Sequence, residues 1–309
     1  MKTRISFTIV LSTAATFLAW QARAQITGNL NTTSVSYGSP LAVQTINTGF
    51  GDSSGVSNSQ NDDYNGSELD AGYGVVSGGS LYFFLAGDIQ GAGSLNGNSQ
   101  NSIQIFIGGG GSTVGQNTLN TSVSPLNAMN GSTFASGMNA TLALTFNDYQ
   151  GTLYTDGANL QGGGGGYIGA VGLTDGVGSG VNTSGASFSL PGFQLALNNT
   201  LVSTMGASGA ALSGSSSGAA TTTGLELQIP LADLGTISGN IEVMADINNG
   251  TLTYLSNQFL TGLAVGTQNL GTSTFSNAGY FVVPVPEPST LALFGLAGLA
   301  TLVFIHRRK

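Results

Sequence analysis

Along most of the chain, short apolar runs are separated by clusters of Gly, Ser and Asn. Within the runs, apolar residues recur at every second position. In SIQIFIG, Ile103, Ile105 and Ile107 fall on one side, with Gln104 and Phe106 on the other. TLALTF groups Leu142, Leu144 and Phe146. LELQI sets Leu225, Leu227 and Ile229 against Glu226 and Gln228, and IEVMADI sets Ile241, Val243, Ala245 and Ile247 against Glu242 and Asp246. A repeat of two is that of a β-strand, whose side chains point alternately to opposite faces. One apolar and one polar side predict antiparallel strands, half on a core and half in water. SLYFFLAG (Ser80–Gly87) is a further strand, rich in aromatic residues. No amphipathic helix is read in this region. PLADLG (Pro230–Gly235) predicts a single short turn, with proline suited to its start and glycine to its stop. Gly51–Gly66, Gly162–Gly166 and Gly206–Gly224 predict loops. Many short strands with loops between them predict an all-β fold, an antiparallel, jelly-roll-like β-sandwich.

The alternation is absent at both ends. Lys2 and Arg4 precede the apolar stretch Ile5–Trp20, and Ala22-Arg23-Ala24 follows it. That order predicts a secretory signal peptide over 1–24, helical, cut before Gln25 by signal peptidase. Near the other end, Thr290–Ile305 holds sixteen uncharged, mostly apolar residues. As a transmembrane helix they would measure ~24 Å, against a hydrocarbon core of ~30 Å. Arg307 and Arg308 can snorkel to make up the difference. Basic residues after an apolar span stay in the cytoplasm, so the preceding chain lies outside the inner membrane. Three parts follow: the signal peptide 1–24, a Gly/Ser/Asn-rich body 25–284, and a tail 285–309 with its helix at 290–305.

Charge sharpens this division. The 309-residue chain carries six Lys and Arg, fourteen Asp and Glu, and a net charge of −8. All six basic residues lie in the terminal segments: Lys2, Arg4, Arg23, Arg307, Arg308 and Lys309. The body holds thirteen carboxylates and no Lys, Arg, His or Cys. Without cations it cannot neutralise phosphate, which excludes nucleic acid as a partner. Internal ion pairs are impossible. Ser-His-Asp and Cys-His catalysis, zinc sites and phosphoryl clamps all lack their residues. Carboxylate chemistry survives, because a glycosidase needs only two carboxyl groups. Asp148 and Asp156 flank YQGTLYT and form a candidate pair across a hairpin, or else two ordinary turn aspartates.

NDDYNGSELD (Asn61–Asp70) is the densest acidic stretch. Asn61, Asp63, Asn65 and Gly66 match positions one, three, five and six of a calcium loop, but Gly72 stands where the bidentate Glu belongs. Asn61, Asp63, Asn65 and Asp70 are therefore the candidate ligands for Ca²⁺, the only cofactor the chain suggests. All nine tyrosines lie in the body. A tyrosine ring can stack on a sugar while its hydroxyl hydrogen-bonds. Tyr64, Tyr149, Tyr154 and Tyr167, read with Tyr73 as in or near loops, are the candidate glycan-stacking residues, whereas Tyr82 is read as core.

Pro286-Glu287-Pro288, an apolar span, and Arg307-Arg308-Lys309 together resemble the PEP-CTERM sorting signal of Gram-negative bacteria. The resemblance implies a membrane-embedded exosortase that reads the tail and cuts near the Pro-Glu-Pro, in cells that commonly make extracellular polysaccharide. SELDAGYGVVSGGSLYFFLAGDI, GLELQIPLADLG and YLSNQFLTGL are similar to the bodies of secreted PEP-CTERM proteins, and more distantly to DOMON domains and family 9 carbohydrate-binding modules. That implies a β-sandwich in which a strand leads into an IPL-x-x-LG turn. Relatives often carry Asp after the IFI strand, where this chain has Gly108. The expected function is that of an exported cell-surface or matrix protein, non-enzymatic, structural or glycan-binding. Its expected partners are signal peptidase, exosortase, the inner membrane and extracellular polysaccharide. A carboxylate-dependent glycan hydrolase and an adhesive or ice-binding surface are the alternatives.

Overall fold

The computed structural model describes residues 24–44, 57–58 and 63–64 (backbone only), 67–89, 101–109, 114–200, 221–235, 237, 239–261, 263–264, 267 and 269–286. The helices expected over 1–24 and 290–305 lie outside these residues, apart from Ala24. Among the described residues, no helix is long and apolar enough to cross a membrane.

The described part of the chain is all-β, and its strands pair antiparallel. In order, β1 is Ala42–Val43, β2 Ser57–Asn58, β3 Asp63–Tyr64, β4 Glu68–Ser77, β5 Ser80–Asp88, β6 Asn101–Gly109, β7 Ala140–Asp148 and β8 Thr152–Asn159. They are followed by β9 Gly165–Gly172, β10 Val177–Ser179, β11 Gln194–Asn198, β12 Gly224–Pro230, β13 Ile241–Asn249, β14 Leu255–Leu260 and β15 Phe281–Val283. A six-stranded sheet runs β1-β4-β5-β12-β11-β10. A seven-stranded sheet runs β14-β13-β6-β7-β8-β9, with β15 also paired to β13. β2 and β3 form a small ladder inside a stretch read as loop, Gly165 and Gly166 open β9, and Gly224 opens β12. The β4–β5 hairpin turns on Gly78 and Gly79 at φ +56° and +79°. Two left-handed residues match the twist of the flanking strands, and glycine takes that conformation without steric cost. PLADLG forms a 3-10 turn at Leu231–Leu234; Pro230 ends β12 just before it and Gly235 stops it at φ +73°.

The inward sets predicted from alternation meet between the sheets. Leu81, Phe83 and Leu85 of β5 and Leu225, Leu227 and Ile229 of β12 share one core with Ile103, Ile105, Ile107, Leu142, Leu144, Phe146, Ile241, Val243, Ala245 and Ile247. Fully burying one such side chain contributes about 1.5–3 kcal/mol.

The outward sets do not face water as the alternation predicts. Most are roofed by a second layer of chain. Over the seven-stranded sheet, Phe106, Ala143, Ala158, Met244 and Phe259 lie beneath Leu126, Met129, Phe134, Met138 and Phe275. Phe106, Phe134 and Phe275 form a triad with ring centroids 5.1–5.8 Å apart. Over the six-stranded sheet, Tyr73, Tyr82 and Phe84 lie beneath Ile26 and Tyr37 of the N-terminal strap, residues 24–44. Aromatic residues on the nominally polar side supply the apolar area that holds each roof.

Glu226 pins the strap. It is fully buried on the outer side of β12. Its Oε2 accepts from the backbone N–H groups of Thr27 (2.7 Å) and Gly28 (2.9 Å), and its Oε1 from the hydroxyls of Thr33 (2.6 Å) and Tyr37 (2.9 Å). Four donors take the place of the cation this body lacks. Burial, with the Glu226 carboxylate adding to it, pushes the Tyr37 phenol above its ordinary range.

Candidate functional site

The sorting residues begin almost at the edge of the folded body. β15 pairs with the first part of β13, Val283 opposite Ile241 and Phe281 opposite Val243. Phe281 and Val283 turn inward onto Gly72 and Gly74 of β4. A Cβ on those glycines would stand 2.8 Å from Phe281 Cε1 and 2.4 Å from Val283 Cγ2, so only glycine leaves them room. After the strand, Pro284 is exposed, and Val285 donates its N–H to Asn240 Oδ1 at 3.3 Å. Pro286 follows, exposed. It is the only sorting residue within the described part; Glu287, Pro288, Arg307, Arg308 and Lys309 lie outside it.

A second candidate is the uncovered part of the seven-stranded sheet. Across its outer face, cross-strand neighbours form the row Asp246–Gln104–Thr145–Asp156–Tyr167. Asp246, Gln104 and Thr145 are buried under the roof. The roof thins at β8 and β9. There Tyr154 is 39% exposed, while Asp156 and Tyr167 are half-buried. The Tyr154 and Tyr167 rings lie 6.3 Å apart at an interplanar angle of 45°. Asp156 stands two positions after Tyr154, on the same face of β8, directly across from Tyr167. Partial burial raises the Asp156 carboxyl above its ordinary range. It also raises the Tyr167 phenol, to which Tyr154 and Asp156 add. Beside them, half-buried Asn147 donates from Nδ2 to Ser102 Oγ at 3.1 Å, and Gln104 donates from Nε2 to Thr145 Oγ1 at 3.1 Å. Two rings, one carboxylate and a neighbouring amide thus share one open patch.

The patch corrects the local reading. Tyr154 and Tyr167 are strand residues rather than loop residues, and Tyr73 is buried within β4. Tyr149 stands 45% exposed in the β7–β8 turn. Tyr64 belongs to β3, and its side chain lies outside the described part. Asp148 and Asp156 are not brought together. Asp148 follows Phe146 on the core side of β7 and is fully buried, whereas Asp156 lies on the outer side of β8. The i, i+2 spacing of Tyr154 and Asp156 within TLYTDGAN was the signal that could have grouped them.

The acidic stretch divides. Asn61 and Asn65 lie outside the described residues, and Asp63 contributes its backbone to β3. Asp70 is not in a loop. It occupies a bulge in β4, between Leu69 and Ala71, and is fully buried beside Thr221 and Asp88. Burial pushes its carboxyl up to about 8; a hydrogen bond with Thr221 opposes the rise and Asp88 adds to it. Among the described residues, no group of three His, Cys, Asp or Glu is placed to hold a metal ion. Asp246 is buried on all sides, and that burial raises its carboxyl well above the usual range. Gly108, where the family resemblance leads one to expect Asp, approaches the start of β7 so closely that a Cβ would stand 2.3 Å from Asn139 O, leaving no room for a carboxylate.

No curated protein and no solved structure matches the chain. Residues 284–309 match the PEP-CTERM protein-sorting motif. The chain therefore carries, from residue 284, a PEP-CTERM sorting signal that follows directly on β15, the last described strand, which implies an exported protein handled by an exosortase.

Proposed function

We propose that this protein is a non-enzymatic, glycan-binding β-sandwich delivered by its PEP-CTERM tail to the cell surface or an extracellular polysaccharide matrix. The observation that carries the reading is the open patch of Tyr154, Tyr167 and Asp156. Two tilted rings offer apolar surface to the C–H face of a sugar, and Asp156 and Asn147 offer hydrogen bonds to its hydroxyls. With no cation in the body, the patch suits neutral glycans and disfavours acidic ones. Binding is preferred over hydrolysis because Asp148 and Asp156, the pair that motivated a hydrolase, lie on opposite faces of their sheet.

A glycan array on the purified protein, with and without calcium, tests the proposal. Neutral oligosaccharides are expected to bind, and the double substitution Tyr154→Ala/Tyr167→Ala to weaken binding at least about tenfold, or 1.4 kcal/mol. A calcium requirement would assign a role to Asn61, Asp63 and Asn65. Equal binding by the parent and the double variant would overturn the assignment.

A further inference from the structure

We propose that β15 seats the body directly on the lipid surface, so that the Asn240 end of the sandwich faces the bilayer until the tail is cut. This rests on the reading of the tail as a membrane-anchored sorting signal. The partner surface is a phospholipid headgroup layer.

β15 is not a loose stalk. It covers the edge of β13 over Ile241–Val243, and β14 covers Ala245–Asn248. Detaching it would expose that edge and uncover Phe281 and Val283, which are 2% and 0% exposed. The last tie to the body among the described residues is the bond from Val285 to Asn240. From Val285 to Thr290, where the apolar span begins, the chain can reach at most ~18 Å. The headgroup layer takes up roughly 5–7 Å of that reach. A span of only sixteen residues is shorter than the hydrocarbon core and draws its flanks inward. A flexible Gly/Ser linker of about twenty residues would instead wander ~25 Å.

The end so placed comprises Asn240, the Leu231–Leu234 turn and the Gly78–Gly79 hairpin, to which Leu231 N–H is bonded through Gly79 O at 2.9 Å. A cleft of about 220 Å³ lined by Asn159, Gln161, Phe188 and Asp233 opens at the same end. The opposite end, with Thr251, lies a full β13 strand away, ~27 Å. Since the body carries no cation, it gains no attraction from anionic lipid. The seat is imposed by the tether, and cutting the tail removes it.

The chain has no cysteine, so single labels can be placed cleanly. Ala232 and Thr251 are exposed at opposite ends. The tail-bearing protein, carrying either Ala232→Cys or Thr251→Cys with a donor dye, is reconstituted into phosphatidylglycerol/phosphatidylethanolamine vesicles with acceptor-labelled headgroups. Energy transfer at position 232 is expected to exceed that at 251 at least twofold. Inserting about twenty Gly/Ser residues between Val285 and Pro286 should bring the two together. Equal transfer without the insertion overturns the seat, as does a 232 signal that the insertion leaves unchanged, since adhesion would then be holding the body. Failure of the protein to float with vesicles is a different result. It would overturn the anchor on which the proposal rests.

Discussion

The outer face of the six-stranded sheet is closed by the chain's own N-terminal strap, whereas that of the seven-stranded sheet is closed from β14 to β7 and left open around Tyr154, Asp156 and Tyr167 of β8 and β9. Both faces carry carboxylates on the same side of alternating strands. On the closed face, Glu226 is consumed by four donors. Under the partial roof, Asp246 is buried with no hydrogen bond to either oxygen from the described residues. At the open margin, Asp156 stands beside two tyrosines. Coverage by distant chain, not position within a strand, separates structural acids from available ones.

The largest expected effect concerns pH. Folding raises the carboxyls of Asp70 and Asp246, and no cation opposes the rise. Between the unfolded value near 4 and the folded value of about 8, native Asp70 holds a proton that the unfolded chain releases. Stability is therefore full below pH ~4 and falls as pH climbs toward 8, by an amount on the order of several kcal/mol. Urea melts across that window should show the slope, and Asp70→Asn should reduce it, leaving the share of Asp246. A protein most stable at pH 8 would contradict the account of its buried acids.

Glu226→Ala tests the closed face itself. It leaves two backbone N–H groups and two hydroxyls without their acceptor, at a cost of about 3 kcal/mol. Because the strap can swing into water, proteolytic nicking within 25–37 should accompany the loss. Unchanged protection would mean that Ile26 and Tyr37 hold the strap without Glu226. Gly74→Ala comes next. Its methyl would meet Val283, and overpacking of this kind costs about 1–3 kcal/mol. Raised hydrogen exchange at Phe281–Val283 would locate the damage. The open face should respond least in stability. Tyr154→Ala is expected to shift it by no more than about 0.5 kcal/mol while weakening glycan binding.

Much of this arrangement was legible in the chain. The inward sets of β6, β7, β12 and β13 follow from a period of two, which slips to the wrong face if displaced by one residue. The tail was legible because its three parts stand in order within a few residues of one another. The roofs were not, because their contacts join residues far apart: Tyr37 to Phe84, and Phe106 to Phe134 and Phe275. One local sign existed. LYFFLA is apolar on both sides, the pattern of a strand buried on both faces. In sequence Asp246 reads as outward in a strand and Asp156 as a hairpin or turn residue; both lie on the outer face of one sheet, and only the extent of the roof tells them apart. Nothing local marks the role of Gly72 and Gly74: Phe281 and Val283, some two hundred residues later, occupy their missing side chains' space.

Hydrogen exchange with and without a saturating neutral oligosaccharide tests the central distinction most directly. Slowed exchange confined to Thr152–Asn159 and Gly165–Gly172, with β4, β5 and β12 unchanged, is the predicted result. Protection centred on the strap-covered sheet, with β8 and β9 unaffected, would contradict it.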